Sequence, residues 1–105
     1  MKILFDQGTP APLQDALTAH LVATANQMGW SRLRNGELLR EAETLFDALI
    51  TTDQSLRYQQ NLSGRRLAIL TLPTTSWPKL PCHLPKIAKA VDDLRPGDFV
   101  ELILP

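Results

Sequence analysis

Short apolar segments alternate with stretches of helical spacing along this chain, and that alternation limits the folds open to it. Strands that alternate with helices predict βαβ units and a mostly parallel sheet with helices on both faces. We therefore expect an α/β fold, a three-layer α/β/α sandwich around about five strands. The five segments are rich in Ile, Leu and Val, as buried strands are. They are KILF, HLVAT, DALIT, RLAILTL and FVELIL, which begin at residues 2, 20, 47, 66 and 99.

Helix signals stand between the first three strand segments. Thr9 followed by Pro10 predicts an N-cap and a first-turn proline, and an apolar stripe of helical spacing follows them. The strongest helical pattern is NGELLREAETLF, residues 35–46. Asn35 is its expected N-cap, and the apolar residues behind it fall on one face.

Helix and turn signals continue in the second half of the chain. Ser55 is the expected cap of a short helix over residues 56–62. The segment LPKIAKAVDDL, residues 84–94, has the spacing of a later helix. Pro96 and Gly97 then stand where a type II turn requires them, so we expect a tight turn before the last strand.

Length, charge and cysteine content narrow the class of protein. A chain of 105 residues fits one domain, which we expect to span residues 1–105. Eleven basic and eleven acidic residues cancel, so any binding of a polyanion must come from a local patch of charge. The single cysteine, Cys82, cannot form an internal disulfide, which favours a reducing setting. Since the amino terminus resembles neither a signal peptide nor a membrane span, we expect a cytoplasmic protein that does not enter a membrane.

Two acids stand at the ends of predicted strands. Asp6 ends the first strand and Asp53 ends the third, so both lie on one edge if these strands are parallel neighbours. Glu37 and Asn35 begin the helix that leads into the third strand. Carboxylates that converge repel each other unless a hard cation compensates them, so this pattern favours a site for Mg²⁺ or Mn²⁺. The structural alternative stays open: both aspartates can cap turns, and Glu37 can complement a helix dipole.

A basic, amide-rich and aromatic segment, SLRYQQNLSGRR, follows Asp53, and a second, WSRLRNG, begins at Trp30. Arginines such as Arg57 and Arg65 bind phosphates, and aromatic rings stack on unpaired bases, so this mixture suits single-stranded RNA or DNA. The alternative is that these residues only form a solvent-exposed loop and helix face, which would have the same composition. Phosphate-binding, dinucleotide-binding and nucleophile-elbow motifs are absent from the sequence, which argues against those enzyme classes.

Three blocks of the sequence resemble a known family. KILFDQGTP, NGELLREAE and DALITTDQSL are similar to the short bacterial PIN-like proteins of the PIN-domain ribonuclease superfamily, and the resemblance covers about residues 2–72. Asp6 and Asp53 match the two principal metal-binding aspartates of that family. Glu37 is the candidate for the acid on the helix, with Asn35 as the alternative.

The resemblance implies a function as well as a fold. It implies a hydrolase that cleaves RNA with Mg²⁺ or Mn²⁺, the toxin of a toxin-antitoxin pair, with a cognate antitoxin and a homodimer as partners. Asp6, Glu37 and Asp53 would be its catalytic residues, and Asn35, Arg57 and Arg65 its contacts to RNA.

Two departures from the family pattern keep other functions open. Many relatives have an acid two positions beyond the third-strand aspartate, where this chain has Ser55, and many have an acid after the first aspartate, where it has the amide Gln7. A catalytically weak or inactive PIN-like module that binds RNA or protein is therefore the alternative function. A flavodoxin-like signalling domain ranks below both, because such domains require a lysine near the end of the fifth strand and FVELILP has none.

Overall fold

In a computed structural model, residues 1–56 and 65–104 are described, apart from the side chain of Asn35. The strands of this part form one five-stranded sheet in the order β2-β1-β3-β4-β5, and every neighbouring pair is parallel. The predicted α/β fold class is confirmed. The strands are β1 (Lys2–Phe5), β2 (Leu21–Thr24), β3 (Ala48–Thr51), β4 (Ala68–Thr71) and β5 (Phe99–Glu101).

Among the described residues, two helices and three short 3₁₀ segments connect the strands. The helices are α1 (Asn35–Leu45) and α2 (Leu84–Asp92), and both fall on predicted helical patterns. Single 3₁₀ segments cover Ala11–Ala16, Trp77–Lys79 and Pro81–His83. The prolines in these segments lack a backbone N–H, which favours short turns over longer α-helices.

The sheet is covered on both faces, which gives the three layers. On one face Leu4, Leu49 and Ile69 pack with Leu38 and Leu39 of α1. The other face packs against the Ala11–Ala16 segment and α2, through residues that include Leu13, Ile87 and Val91. Since successive side chains of a strand point to opposite faces, the central strands contribute to both cores and are apolar on both sides.

The first predicted helix differs from the observed structure. The segment is a 3₁₀ helix that begins after Pro10, and Thr9 does not cap it. The Thr9 hydroxyl lies instead 2.8 Å from an oxygen of the Asp6 carboxylate and 2.8 Å from the carbonyl oxygen of Ile50. Contacts to neighbouring strands thus replaced the local capping contact that the sequence predicted.

The start of α1 also differs by one residue from the prediction. Arg34 has extended backbone and occupies the N-cap position, so Asn35 is the first helical residue and not the cap. The Arg34 backbone N–H donates a hydrogen bond to Glu37 Oε1 at 3.2 Å. This contact is the carboxylate half of a capping box, in which an acid at the third helical position satisfies an unpaired N–H.

The turn before β5 is as predicted. Gly97 has φ of +84°, and the Asp98 N–H donates to the Arg95 carbonyl at 3.0 Å. This geometry fits a type II turn, which places a residue with positive φ at its third position. Residues 57–62 of the helix predicted after Ser55 lie outside the described residues. Within the described ranges, no helix has the length and apolar character needed to cross a membrane.

The strand order fixes where a ligand is expected. The order 2-1-3-4-5 is that of flavodoxin-like doubly wound sheets, in which the connections leave β1 and β3 in opposite directions. Ligands of such sheets bind beyond the carboxyl ends of the strands at this switch point. Asp6 follows β1 and Asp53 follows β3, so the two acids lie at the switch point of this sheet.

Candidate functional site

Asp6 and Thr51 form the centre of the switch-point site. The β1–β3 register pairs Phe5 with Ile50. The residues that follow them, Asp6 and Thr51, therefore lie opposite each other across the two strands. The Thr51 hydroxyl donates a hydrogen bond to Asp6 Oδ2. Thr51 is 1% exposed, so this contact holds the half-buried Asp6 carboxylate from below the protein surface.

The second oxygen of Asp6 is also held by a hydroxyl group. Thr9 Oγ1 lies 2.8 Å from Asp6 Oδ1 and 2.8 Å from the Ile50 carbonyl. A hydroxyl has a single hydrogen to donate, and a hydrogen bond to a carboxylate is stronger than one to a neutral carbonyl. We therefore assign the Thr9 hydrogen to Asp6. A carboxylate offers about four acceptor positions, so two hydroxyl donors leave room for another ligand.

Asp53 is joined to the same centre through its backbone. The Asp53 N–H donates to Thr51 Oγ1 at 3.1 Å, so one hydroxyl group separates the Asp6 carboxylate from the Asp53 backbone. Asp53 Oδ1 accepts hydrogen bonds from the Ser55 N–H at 3.0 Å and from the Ser55 hydroxyl at 2.7 Å. Ser55 thus orients the Asp53 carboxylate.

The loops around the two acids approach each other closely. A Cβ atom added to Gly8 would lie 2.5 Å from Thr52 Oγ1 and 3.8 Å from Thr75 Cγ2. A Cβ atom essentially never comes as close to another heavy atom as the first of these distances, so a side chain at this position would force the neighbouring atoms to shift. Gly8 therefore lets the loop after β1 pack against the loops after β3 and β4.

The donor atoms of this centre fit a hard divalent cation. Asp6, Asp53 and Thr51 offer oxygen atoms, which are the ligands that Mg²⁺ and Mn²⁺ prefer. Across residues 1–56 and 65–104, however, no three histidine, cysteine, aspartate or glutamate side chains are grouped as a metal site. Glu37 is thus not grouped with the two aspartates, and its role as a metal ligand stays a prediction.

Glu37 lies instead in a basic groove along the start of α1. This open groove has a volume of about 490 Å³ and is lined by Arg34, Gly36, Glu37, Arg40 and Arg65. Its three arginines outnumber its one acid, and a small excess of positive charge remains even though Arg65 is paired with Glu43. It brings together two of the predicted site residues, Glu37 and Arg65.

Arg65 is held in this groove by an acid further along α1. Its Nη1 atom donates to Glu43 Oε2 at 3.1 Å, while its buried Nε has no hydrogen-bond partner among the described residues. Of the other predicted RNA contacts, Arg57 lies outside the described residues. Asn35 begins α1, and its side chain is not described.

Trp30 packs inside the protein rather than standing free for a base. Its ring meets Phe46 edge to face, with ring centroids 6.0 Å apart and an interplanar angle of 80°. Trp30 is half-buried and packs against the core beneath α1. This arrangement is typical of an aromatic pair that stabilises a core. The structure therefore favours a packing role for this ring over the predicted base stacking.

The cavity with the most apolar walls lies at the opposite edge of the sheet. It has a volume of about 360 Å³ and adjoins a second cavity of about 520 Å³ near the amino ends of the strands. The two cavities share Met1, Glu43, Phe46, Asp47 and Arg66. A large apolar pocket is often the binding site of a protein. In an open parallel sheet, however, the strand order assigns ligands to the carboxyl edge, where the two aspartates lie.

Sequence reasoning found the two acids but missed the hydroxyl groups that organise them. Thr51 precedes Asp53 by two residues in the segment LITTDQ, and Thr9 lies three residues after Asp6. Spacing alone predicts turn and cap contacts for such residues. Only the register between β1 and β3 shows that Thr51 lies beside Asp6 and contacts both aspartates.

No protein-family model, curated protein or solved structure matches this chain. The resemblance to PIN-like proteins therefore stays a prediction that rests on three sequence blocks. A fold class hosts many activities, so function has to be argued from the chemistry of the site.

Proposed function

We propose that this chain is a ribonuclease that depends on a divalent metal ion, and that Asp6 and Asp53 bind Mg²⁺ or Mn²⁺. The observation that carries the proposal is the position of both acids at the β1–β3 switch point, joined through one threonine hydroxyl. A bound divalent ion supplies the activation of water and the stabilisation of charge that hydrolysis of a phosphodiester requires. The hydroxyl groups of Thr9, Thr51 and Ser55 hold the two carboxylates in place.

The basic groove supports RNA as the substrate class. Arg34, Arg40 and Arg65 line it together, and arginines are the common partners of phosphate oxygens. The overall charge of the chain is zero, so this local cluster would have to supply the attraction for a polyanion.

Asp53→Asn is the sharpest test of the proposal. Asp53 Oδ1 accepts two hydrogen bonds from Ser55, and an amide oxygen can accept both in the same geometry, although each bond is weaker than to a carboxylate. The substitution therefore removes the charge while it keeps these contacts. We expect purified wild-type protein to cleave RNA with Mn²⁺ or Mg²⁺, and Asp53→Asn to lose cleavage with little change in melting temperature.

Asp6→Asn tests the second acid, and Asp15→Asn is the matched control. Both carboxylate oxygens of Asp6 accept a hydrogen bond from a threonine hydroxyl. In Asp6→Asn one of these oxygens becomes an NH₂ group, so one hydroxyl has to reorient, and the melting temperature of this variant must be measured. Asp15 is exposed on the 3₁₀ segment, so the same substitution there should leave cleavage intact. Cleavage by Asp53→Asn at the wild-type rate would refute the proposed activity.

The toxin role and its partners extend the same proposal. A toxin of this type would arrest growth when expressed alone, and a cognate antitoxin would relieve the arrest. Asp53→Asn should be tolerated in the absence of any antitoxin if toxicity comes from RNA cleavage. If Asp53→Asn still arrests growth, toxicity does not depend on the metal site. A homodimer is checked by sedimentation of the purified chain.

A non-catalytic module that binds RNA or protein is the second candidate. The observation in its favour is that residues of the chain itself already contact both carboxylates: the Thr9 and Thr51 hydroxyls contact Asp6, and the Ser55 hydroxyl and N–H contact Asp53. Such contacts are also typical of aspartates that only shape turns. RNA binding that persists in EDTA, with no cleavage at any Mn²⁺ concentration, would favour this candidate.

A further inference from the structure

A row of polar residues crosses the carboxyl ends of three neighbouring strands. Thr51 of β3 pairs in register with Thr71 of β4, and Thr71 pairs with Glu101 of β5. Residues in register on parallel strands project to the same face. Leu49 and Ile69, two residues earlier on β3 and β4, pack against α1, so Thr51 and Thr71 project toward this face too.

The two threonines of this row have the same burial but different hydrogen bonding. Thr51 is 1% exposed and Thr71 is 2% exposed. The Thr51 hydroxyl both donates and accepts, to Asp6 and from Asp53. The Thr71 hydroxyl oxygen is buried and has no hydrogen-bond partner among the residues that the structure describes.

A buried hydroxyl without a protein partner calls for a physical explanation. Native proteins satisfy nearly all such groups with protein atoms, water or a bound ion, because an unsatisfied group retains its desolvation cost. A valine would fit the same apolar surroundings on a central strand and carry no such cost. The presence of threonine beside the Asp6–Asp53 centre therefore points to a ligand that accepts its hydrogen.

We propose that Thr71 is a further binding residue of the switch-point site, whose hydroxyl donates to a water molecule coordinated by the divalent ion. This inference rests on the proposed metal site at Asp6 and Asp53. Adjacent strands lie about 4.8 Å apart, so Thr71 is one strand removed from the hydroxyl that contacts Asp6. Mg²⁺ usually keeps several of its waters, so its hydration shell extends beyond its direct protein ligands.

Thr71→Val and Thr71→Ser separate a ligand role from a structural role. The probe is Mn²⁺ alone, titrated into the full chain and followed by the electron paramagnetic resonance signal of the free ion. We expect Thr71→Val to bind Mn²⁺ about tenfold more weakly, the usual effect of losing a group that orients a metal shell. Its melting temperature without metal should equal or exceed that of the wild type. Thr71→Ser keeps the hydroxyl and should restore affinity.

Control variants make the failure of this inference distinguishable from failure of the metal site. Thr44→Val removes an exposed hydroxyl, which donates to the Glu41 carbonyl on α1, and should leave Mn²⁺ binding unchanged. If Asp53→Asn loses Mn²⁺ binding while Thr71→Val keeps it, the role of Thr71 is refuted and the metal site stands. If the wild type binds no Mn²⁺, or if Asp53→Asn binds it normally, the proposed site fails and this inference with it. Lower stability of Thr71→Val without metal, together with normal Mn²⁺ binding, would show a purely structural hydroxyl and overturn the proposal.

Discussion

Replacement of Thr51 by valine tests whether one hydroxyl organises the switch-point site. Thr51 is 1% exposed, donates to Asp6 Oδ2 and accepts the Asp53 N–H at 3.1 Å. Valine keeps the branched shape and removes both contacts. A hydrogen bond to a charged group contributes about 1.5–3 kcal/mol and a neutral one about 0.5–1.5 kcal/mol. We therefore expect Thr51→Val to lower the free energy of unfolding by about 2–4 kcal/mol.

The matched substitution one strand away should behave differently. Thr71 is 2% exposed and stands in register with Thr51, but its hydroxyl has no partner among the described residues. Thr71→Val removes a buried polar group and no protein hydrogen bond, so we expect no loss of stability and a gain of up to about 1 kcal/mol. The same chemical change on adjacent strands thus has opposite expected effects.

Urea unfolding of both variants without metal is the assay. The slope of unfolding free energy against urea should stay at its wild-type value, so that a change in midpoint reports stability alone. For a domain of this size, 1 kcal/mol corresponds to about 4 °C in melting temperature, so Thr51→Val should melt about 8–16 °C lower. Equal losses in the two variants, or a loss below about 0.5 kcal/mol for Thr51→Val, would refute the hydrogen-bond assignment.

Two further substitutions test the turn before β5 and the basic groove. Gly97→Ala should cost about 1–2 kcal/mol in urea unfolding, because Gly97 has φ of +84° and an added Cβ would lie 3.3 Å from the Arg65 carbonyl. A wild-type midpoint would contradict this reading of the turn. Arg40→Gln should weaken binding of single-stranded RNA and reduce the slope of log K against log salt by about 0.7. Arg95→Gln, an exposed arginine at the opposite edge of the sheet, is the control, and equal effects of the two would argue against the groove.

The fold could be predicted from the sequence because each local signal agreed with the packing that the chain adopts. All five strands fall within the predicted apolar segments, and α1 and α2 fall on the predicted helical patterns. These segments bury apolar side chains on the faces that their periodicity indicates. The segment Ala11–Ala16 departs from prediction because Thr9 contacts Asp6 in place of capping a helix. There a hydrogen bond to a carboxylate three residues earlier in the chain replaced the predicted capping contact.

The candidate site could be predicted only as far as strand ends can be read from a sequence. Asp6 and Asp53 both stand at the carboxyl edge, as expected, but they do not pair directly across the strands. The register places Asp6 beside Thr51, and Asp53 lies two residues further along the chain. A shift of the register by one residue would turn Thr51 to the other face and away from Asp6. The hydroxyl that connects the two acids is therefore a property of strand pairing, which residue spacing does not encode.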